Sequence, residues 1–450
     1  MDLKEVHRVY FIGIGGIGMS AIAKYFSVNG KQVAGYDKTP SDITASLSTT
    51  GASIHFEDAL HLIPEGFKEA EGTLVVYTPA VPKDHKQLNF FFEQGFTTLK
   101  RAQVLGEITK NTFCLGVAGT HGKTTTSSIL GHIMKVCNTG ATSFLGGVTE
   151  NYNSNLIEGG DAISVVEADE FDRSFLQLSP DVACVTSMDA DHLDIYGAKE
   201  ALEASFKEFS DKVTQQLIVC KGLPLEGLTY AVDSDADYSI FDIEIKGGAY
   251  QFSVKTPKES LSNIVFHLPG RHNLSNALAA IAMAEQYGLS LEEISKALKT
   301  FTGVKRRFSY KIKREDFVLI DDYAHHPTEI DAVVDAVREM YPNEEVLAVF
   351  QPHLFSRTRD FIDDFARSLS RFDALVLLDI YPARELPIPG VDSQWLFDKI
   401  ALENKQLLEK KDVFTAVQKS NTRVVVMLGA GDIGVLIEEV QEGFETLLDS

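Results

Sequence analysis

Cysteine and positive charge are both in short supply in this chain. Its 4 cysteines, Cys114, Cys137, Cys184 and Cys220, lie far apart and form no C-x-x-C pair. That spacing argues against a disulfide-stapled scaffold or a zinc ribbon, and reduced, buried thiols are expected. Against 64 acidic residues stand 42 basic ones, a formal charge of −22. Such a balance repels a nucleic-acid backbone or an anionic membrane surface, so nucleic acid is not an expected partner. No apolar run approaches the roughly 18 residues of a membrane span, and the opening MDLKE shows no signal-peptide core. A cytoplasmic location without membrane insertion is expected. Short-period repeats, low-complexity tracts and heptad seams are also missing.

What remains is an ordinary globular composition, 44% hydrophobic and 24% charged. A chain of 450 residues is too long for one hydrophobic core, and three domains are expected. Residues 9–12, 19–28 and 32–36 alternate strand, helix and strand, and the alternation continues through a strand at 73–77 and a helix at 102–109. A second α/β segment starts with apolar residues 113–117 and has further buried strands at 162–167 and 182–186. Between about 214 and 268 short alternating runs predict a small antiparallel sheet, followed by an alanine-rich helix at 276–287. The last third returns to strands at 318–321, 346–350, 374–378 and 423–427, with a helix at 328–340. The expected domains are residues 1–107, 108–304 and 305–450.

The most specific motif is GTHGKTTT at 119–126. It lacks the first glycine of the strict G-x-x-x-x-G-K-[ST] form, since Val117 stands there. A buried strand, a turn with Gly119 and Gly122, and a helix opening on Lys123 nevertheless supply what a phosphate needs. Backbone N–H groups cradle it, Lys123 adds charge and Thr124 can reach Mg²⁺, with Thr120, His121 and Thr125 completing the loop. EADEFD at 167–172 follows a strand, where carboxylates such as Glu167 suit Mg²⁺. DADHLD at 189–194 offers His192 for a second metal. The less favoured readings are a solvated acidic loop and a structural histidine at His192.

Near the N-terminus Gly13, Gly15, Gly16, Ile17 and Gly18 fit G-x-G-x-x-G after a strand, and Asp37 lies 19 residues past Gly18. The turn suits a diphosphate and the acid a ribose or another hydroxyl-bearing group. A second match, Gly429 to Gly434, has no β-α-β unit after it and is expected to be a tight structural turn. DDYAHHP at 321–327 and QPHLFSRTR at 351–359 each begin where a strand ends. Arginine beside histidine there suits a carboxylate or a transferred phosphoryl group.

The order of these motifs, with GRHNLSN at 270–276, resembles the Mur ligase family over nearly the whole chain. The resemblance implies an α/β fold of three domains, with Rossmann-like first and last domains. Between them it implies a P-loop ATPase-like domain, mostly parallel, carrying a small antiparallel sheet. It implies that ATP drives the joining of L-alanine to the carboxylate of UDP-N-acetylmuramate through an acyl phosphate, in peptidoglycan precursor synthesis. Carried over residue by residue, Lys123 holds the γ-phosphate, Thr124 and Glu167 bind one Mg²⁺, and His192 binds a second. His272, Asn273 and Asn276 surround the adenine, and Asp322 lies by the ATP ribose or neighbouring groups. Tyr323, His325, His353 and Arg357 form the L-alanine site, with His325 or His353 as base for the incoming ammonium. Closure of domains around the ligands is expected, and a homodimer is among the assemblies the resemblance allows.

Two positions depart from the family pattern. Leu354 stands where some relatives carry arginine, which shifts the alanine carboxylate toward Arg357, and Phe171 replaces a common small polar residue. Three alternatives stay open on sequence alone. A recycling ligase that attaches a tripeptide would share the ATP loop and need a roomier amino-acid site. A nicotinamide-dependent oxidoreductase would explain residues 13–18 and Asp37 but not Lys123. A nucleotide-sensing switch would need no DADHLD or QPH chemistry.

Overall fold

A computed structural model of the chain describes residues 3–189, 199–383 and 385–448. Two compact units divide it. The first comprises Met1–Glu244, Tyr250–Phe266 and Asn273–Thr302; the second comprises Gly303–Ser450 with the short pieces Ile245–Ala249 and His267–His272. Among the described residues no helix is long and apolar enough to cross a membrane.

In the first sheet the strands run, edge to edge, Ser53–His55, Gln32–Tyr36, Arg8–Ile12, Thr73–Tyr77 and Thr97–Lys100, all parallel. The central strand reads RVYFI, and its last four side chains are buried. Apolar residues on both faces are what a strand covered by helices on each side requires. The chain leaves it through Gly13, at φ 87°, and enters the helix Ile17–Val28. That helix starts at Gly16 without a side-chain cap, so its first amides point out unoccupied by any capping group.

The second sheet has ten strands in the order Ser260–Phe266, Ala249–Lys255, Tyr238–Lys246, Leu228–Val232, Gln216–Cys220, Val182–Val185, Phe113–Ala118, Ile163–Ala168, Thr142–Thr149 and Ser154–Ile157. Its middle is parallel. Of the small antiparallel sheet expected between about 214 and 268, the pair Ala249–Lys255 with Ser260–Phe266 is antiparallel and continues this same sheet through Tyr238–Lys246, whereas Gln216–Cys220 and Leu228–Val232 pair in parallel as part of the large sheet. Across the sheet lies the helix Lys123–Val136, in which every residue from Thr124 to Met134 is buried.

The first two sheets are joined by a packed seam within the first unit. One apolar cluster runs through both and includes Phe11, Phe26, Phe144 and Leu156. Fully buried Asn155 donates from Nδ2 to Ile17 O at 2.6 Å and to Ser20 Oγ at 2.8 Å.

The third sheet runs Ser309–Lys313, Val318–Asp322, Val424–Leu428, Val346–Phe350, Ala374–Leu377 and Lys405–Leu407, parallel except for the first strand. Apolar clusters cover both of its faces. The helix Pro327–Met340 opens on a capping box between His326 and Glu329 with Pro327 in its first turn, a start that the DDYAHHP segment encodes locally.

Asn155 generates a stability test. Asn155→Ala removes both of its hydrogen bonds in the seam and leaves Ser20 Oγ as the side-chain donor to the Ile17 carbonyl, at a cost of about 1–3 kcal/mol for the two bonds. The expected result is a lower urea midpoint for the transition that unfolds the first unit; an unchanged midpoint would contradict this role.

Candidate active site

The strand Phe113–Ala118 delivers the chain into a loop shaped by two glycines. Gly119, at φ 137°, lies so close to Thr186 that a side chain would collide with its hydroxyl. Gly122, at φ 83°, approaches Asn276, whose Oδ1 would be 2.5 Å from an added Cβ. The loop is braced from the end of the neighbouring strand Val182–Val185. Thr120 Oγ1 and Ser187 Oγ are 2.9 Å apart, the His121 amide donates to Ser187 Oγ at 2.7 Å, and Thr186 Oγ1 donates to His121 O at 2.5 Å. Thr120 and His121 are therefore in the loop, but these bonds hold its shape. Thr186 and Ser187 were not singled out from the sequence. Their only signal is a pair of hydroxyls directly after a buried strand.

Gly122 caps the following helix without a side-chain bond, which leaves amides at its start for an anion. Lys123 is largely buried and its Nζ lies 2.7 Å from Glu170 Oε2, while donating to Gly119 O at 2.6 Å. Burial alone would lower the ammonium's pKa; Glu170, Glu167 and Asp169 outweigh it, and the pKa ends above its ordinary value. Glu170, fully buried, is thus the counter-charge of the loop lysine. Reading EADEFD for its metal ligand alone missed that role.

Thr124 Oγ1 donates to Glu167 Oε1 at 3.1 Å, and Gly146 N donates to Glu167 Oε2 at 3.0 Å. A hydroxyl and a carboxylate side by side are hard oxygen donors of the kind Mg²⁺ takes. His192 lies outside the described residues, and among those described no cluster of three or more His, Cys, Asp or Glu side chains forms a metal cage. Thr125 is buried in the helix. Asn276 is tied to the loop helix, accepting from Thr126 Oγ1 at 3.3 Å and donating to Asn273 Oδ1 at 3.2 Å. His272 belongs to the second unit and is solvent-exposed.

The N-terminal glycine turn is held by Asp37, whose Oδ2 accepts the Gly15 amide at 2.7 Å. Part of the acid's hydrogen-bonding capacity thus goes to the turn itself. A Cβ on Gly18 would lie 2.8 Å from Arg101 Nη1, so the arginine rests on that glycine. Arg101 also pairs with Asp169 at 3.3 Å, and Lys100 with Asp172 at 3.2 Å. Between these groups lies a cavity of about 360 Å³ whose lining includes Gly16, Ile17, Arg101, Glu167, Asp169 and Phe171. One cavity therefore touches both the first sheet's glycine turn and the carboxylate beside Thr124. Arg101 is a further site residue that the sequence did not single out, and Asp169, read from the sequence only as one of the EADEFD carboxylates, is its partner 68 positions away.

In the second unit the two histidine loops meet. The His325 and His353 rings are 5.9 Å apart at 74°, and Tyr323 packs edge-on against His325 at 5.2 Å. His325 Nδ1 is 2.9 Å from Tyr323 O and 3.3 Å from Glu329 Oε2. Burial lowers the imidazole pKa; Arg357 and Arg307 push the same way and Glu329 opposes them. Arg357 Nη1 is buried with no hydrogen-bond partner among the described residues. Asp322 accepts the amides of Ala324 at 2.8 Å and Phe308 at 2.7 Å. Burial pushes its carboxyl up to about 7 although Ala324, Arg307 and Phe308 favour the charged form. Asp322 thus braces its own loop, a use that reading it as a ribose ligand did not include.

Three family profiles match the chain in order: "Mur ligase family, catalytic domain" at residues 8–112, "Mur ligase middle domain" at 117–284, and "Mur ligase, glutamate ligase domain" at 306–436. A UDP-N-acetylmuramate–L-alanine ligase of Flavobacterium psychrophilum is 59% identical over 444 residues, covering 98% of this chain and 99% of the relative. The enzyme of the same name from Parabacteroides distasonis is 48% identical, covering 98% of each. Among solved structures, the UDP-N-acetylmuramate-alanine ligase of Thermotoga maritima superposes with a TM-score of 0.85 at 27% identity, covering 98% of this chain and 99% of the other. A murein peptide ligase from Psychrobacter arcticus shares the fold, with a TM-score of 0.69 at 22% identity, covering 96% and 98%.

Gly122→Ala tests the loop geometry. The methyl group meets Asn276 and disfavours the positive φ, so Mg-ATP affinity is expected to fall more than about tenfold. Calorimetric titration of the folded variant reads this directly, and parental affinity would refute the account of the loop.

Proposed function

We propose that this chain, which belongs to the Mur ligase family, is an ATP-dependent ligase that joins L-alanine to the carboxylate of UDP-N-acetylmuramate in peptidoglycan precursor synthesis. One structural observation supports it above the others: a single cavity is lined by the glycine turn Gly16–Gly18 and by Glu167, next to Thr124. A sugar nucleotide seated there has its diphosphate at the turn of Gly13, Gly15, Gly16, Ile17 and Gly18 and its carboxylate toward the ATP loop. We assign residues 1–107 to the sugar nucleotide, 108–304 to ATP and 305–450 to the amino acid, and place the enzyme in the cytoplasm.

A carboxylate is a poor acyl donor, which gives the reaction its two steps. A carboxylate oxygen attacks the γ-phosphorus, the bond to the β–γ bridging oxygen breaks, and ADP leaves. The amino nitrogen of alanine then attacks the acyl carbon, and phosphate departs from the tetrahedral intermediate. Lys123 neutralises charge on the transferring phosphoryl group, with Glu170 holding it protonated in the absence of nucleotide. Thr124 and Glu167, with His192 for a second ion, would hold Mg²⁺, which would supply further neutralisation of phosphate charge. Asn273 and Asn276 lie beside the loop on the adenine side, with His272 preceding them in sequence.

The ammonium of alanine must lose a proton before it attacks. His325 and His353 are the candidate bases, and burial together with Arg357 keeps His325 neutral near pH 7. The unpartnered Arg357 Nη1 suits the alanine carboxylate, with Tyr323 beside it.

Phosphate release from Mg-ATP, with UDP-N-acetylmuramate and L-alanine, glycine, L-serine or the tripeptide added singly, tests the assignment. Release requiring both the sugar nucleotide and L-alanine is expected; release with the tripeptide alone would make the chain a recycling ligase. A lowered His325 pKa also places the acid limb of kcat/KM for L-alanine below about pH 6.5. That limb should change in His325→Ala with ATP binding retained, and a parental midpoint at pH 7 or above would rule His325 out as the base.

A further inference from the structure

The glycine-rich turn after the strand Val424–Leu428 has no part in the proposed reaction. Its fingerprint, Gly429 to Gly434, is that of a dinucleotide site, yet the protein's own groups crowd it. A Cβ on Gly431 would lie 2.5 Å from Gln351 Oε1 and 2.7 Å from Tyr381 Cγ. Gln351 Oε1 accepts the Ile433 amide at 3.0 Å, and its Nε2 donates to Asp432 Oδ1 at 2.8 Å. Asp432 in turn pairs with Lys410 at 2.5 Å. The first amide of the helix Ile433–Leu448 is therefore engaged by a side chain of the QPH loop.

Tyr381 connects this turn to that loop. Its amide donates to Pro352 O at 2.8 Å and its carbonyl accepts from Leu354 N at 2.9 Å, bracketing His353 on both sides. Leu354 sits at φ 72°, a conformation that a branched side chain rarely adopts, so the bracket holds a strained link directly after the histidine. The Tyr381 ring lies on the His353 ring with centroids 5.7 Å apart and planes 20° from parallel. On its other contact the same tyrosine abuts Gly431, where any side chain would displace it.

From this chain of contacts we infer that Tyr381 is a positioning residue for His353, and that the glycine turn at 429–434 serves to seat it. Gly431 leaves room for the ring, and Gln351 ties the turn to the loop. The stacked ring in turn fixes the plane of the imidazole that faces His325. The inference rests on reading His353 as part of the L-alanine site.

Tyr381→Leu keeps both backbone bonds and removes the ring; Tyr381→Phe keeps the ring; Gly431→Ala presses a methyl group into it. Steady-state phosphate release is measured against each of the three substrates, with thermal midpoints alongside. Tyr381→Leu and Gly431→Ala should lower kcat/KM for L-alanine about tenfold to a hundredfold, while KM for ATP and for the sugar nucleotide stays within about twofold. Tyr381→Phe should match the parent. In a His353→Ala background Tyr381→Leu should add nothing, because its effect passes through the histidine. Parental alanine kinetics in Tyr381→Leu, an equal rise in KM for all three substrates, or an undiminished effect on top of His353→Ala would each overturn the inference. If His353→Ala alone retains full turnover, the reading of His353 falls and this inference with it. A loss in His353→Ala without one in Tyr381→Leu overturns the inference only. Should Gly431→Ala not fold, the Leu and Phe variants carry the test.

Discussion

A buried ammonium is tolerated only where negative charge stands against it, and Lys123 imposes that condition on the whole nucleotide loop. An unpaired charge in a protein interior costs several kcal/mol. The compensation comes from the next strand of the sheet. Ile163–Ala168 pairs with Phe113–Ala118 in parallel, with Val117 opposite Glu167 and Ala118 opposite Ala168. That register brings the acid segment level with the loop, so Glu167 reaches Thr124 and Glu170 reaches Lys123. A slip of one residue would turn Glu167 to the opposite face of the sheet. After Glu170 the chain reverses through Asp172 and Arg173, both at positive φ, an unfavourable pair fixed on the far side by Lys100 and Asp172.

Much of this was legible in the sequence because parallel strands buried on both faces announce themselves as unbroken apolar runs. Residues 9–12, 113–117, 182–186 and 346–350 did so. The strand Thr142–Thr149 did not, since Gly146 and Gly147 interrupt its pattern. Yet the Gly146 amide is what Glu167 binds, and a side chain there would collide with that carboxylate. Local function and local propensity are at odds at that point. The bracing hydroxyls of Thr186 and Ser187 were hidden for another reason: Ser and Thr are too common beside strands to carry a signal. Arg101 and Asp169 pair only once two separate sheets have come together. Asp37 shows the converse, because the acid of a dinucleotide fingerprint here stabilises the glycine turn itself.

The meeting of His325 with His353 follows from sheet order. Val318–Asp322 and Val346–Phe350 flank the same strand, Val424–Leu428, with Asp322 and Phe350 both opposite Leu428. Their loops therefore leave the sheet at the same height, about two strand spacings or roughly 9–10 Å apart. Histidines a few residues beyond such ends can touch rings, although 28 positions separate them in the chain. Sequence alone marked both loops as unusual and could not state that they are neighbours across one strand.

The seam through Asn155 fixes how the first two sheets stand before any substrate arrives. Gly18 under Arg101, Asp169 against Arg101, and Asn155 on the Ile17 carbonyl make the cavity at Glu167 part of one continuous interior. A molecule shaped to this cavity meets a surface that already exists. Its affinity is then governed by complementarity and desolvation, with little loss to reorganising the protein. A rigid compound that spans the glycine turn and the Glu167 carboxylate therefore loses less on binding than a flexible one of the same size.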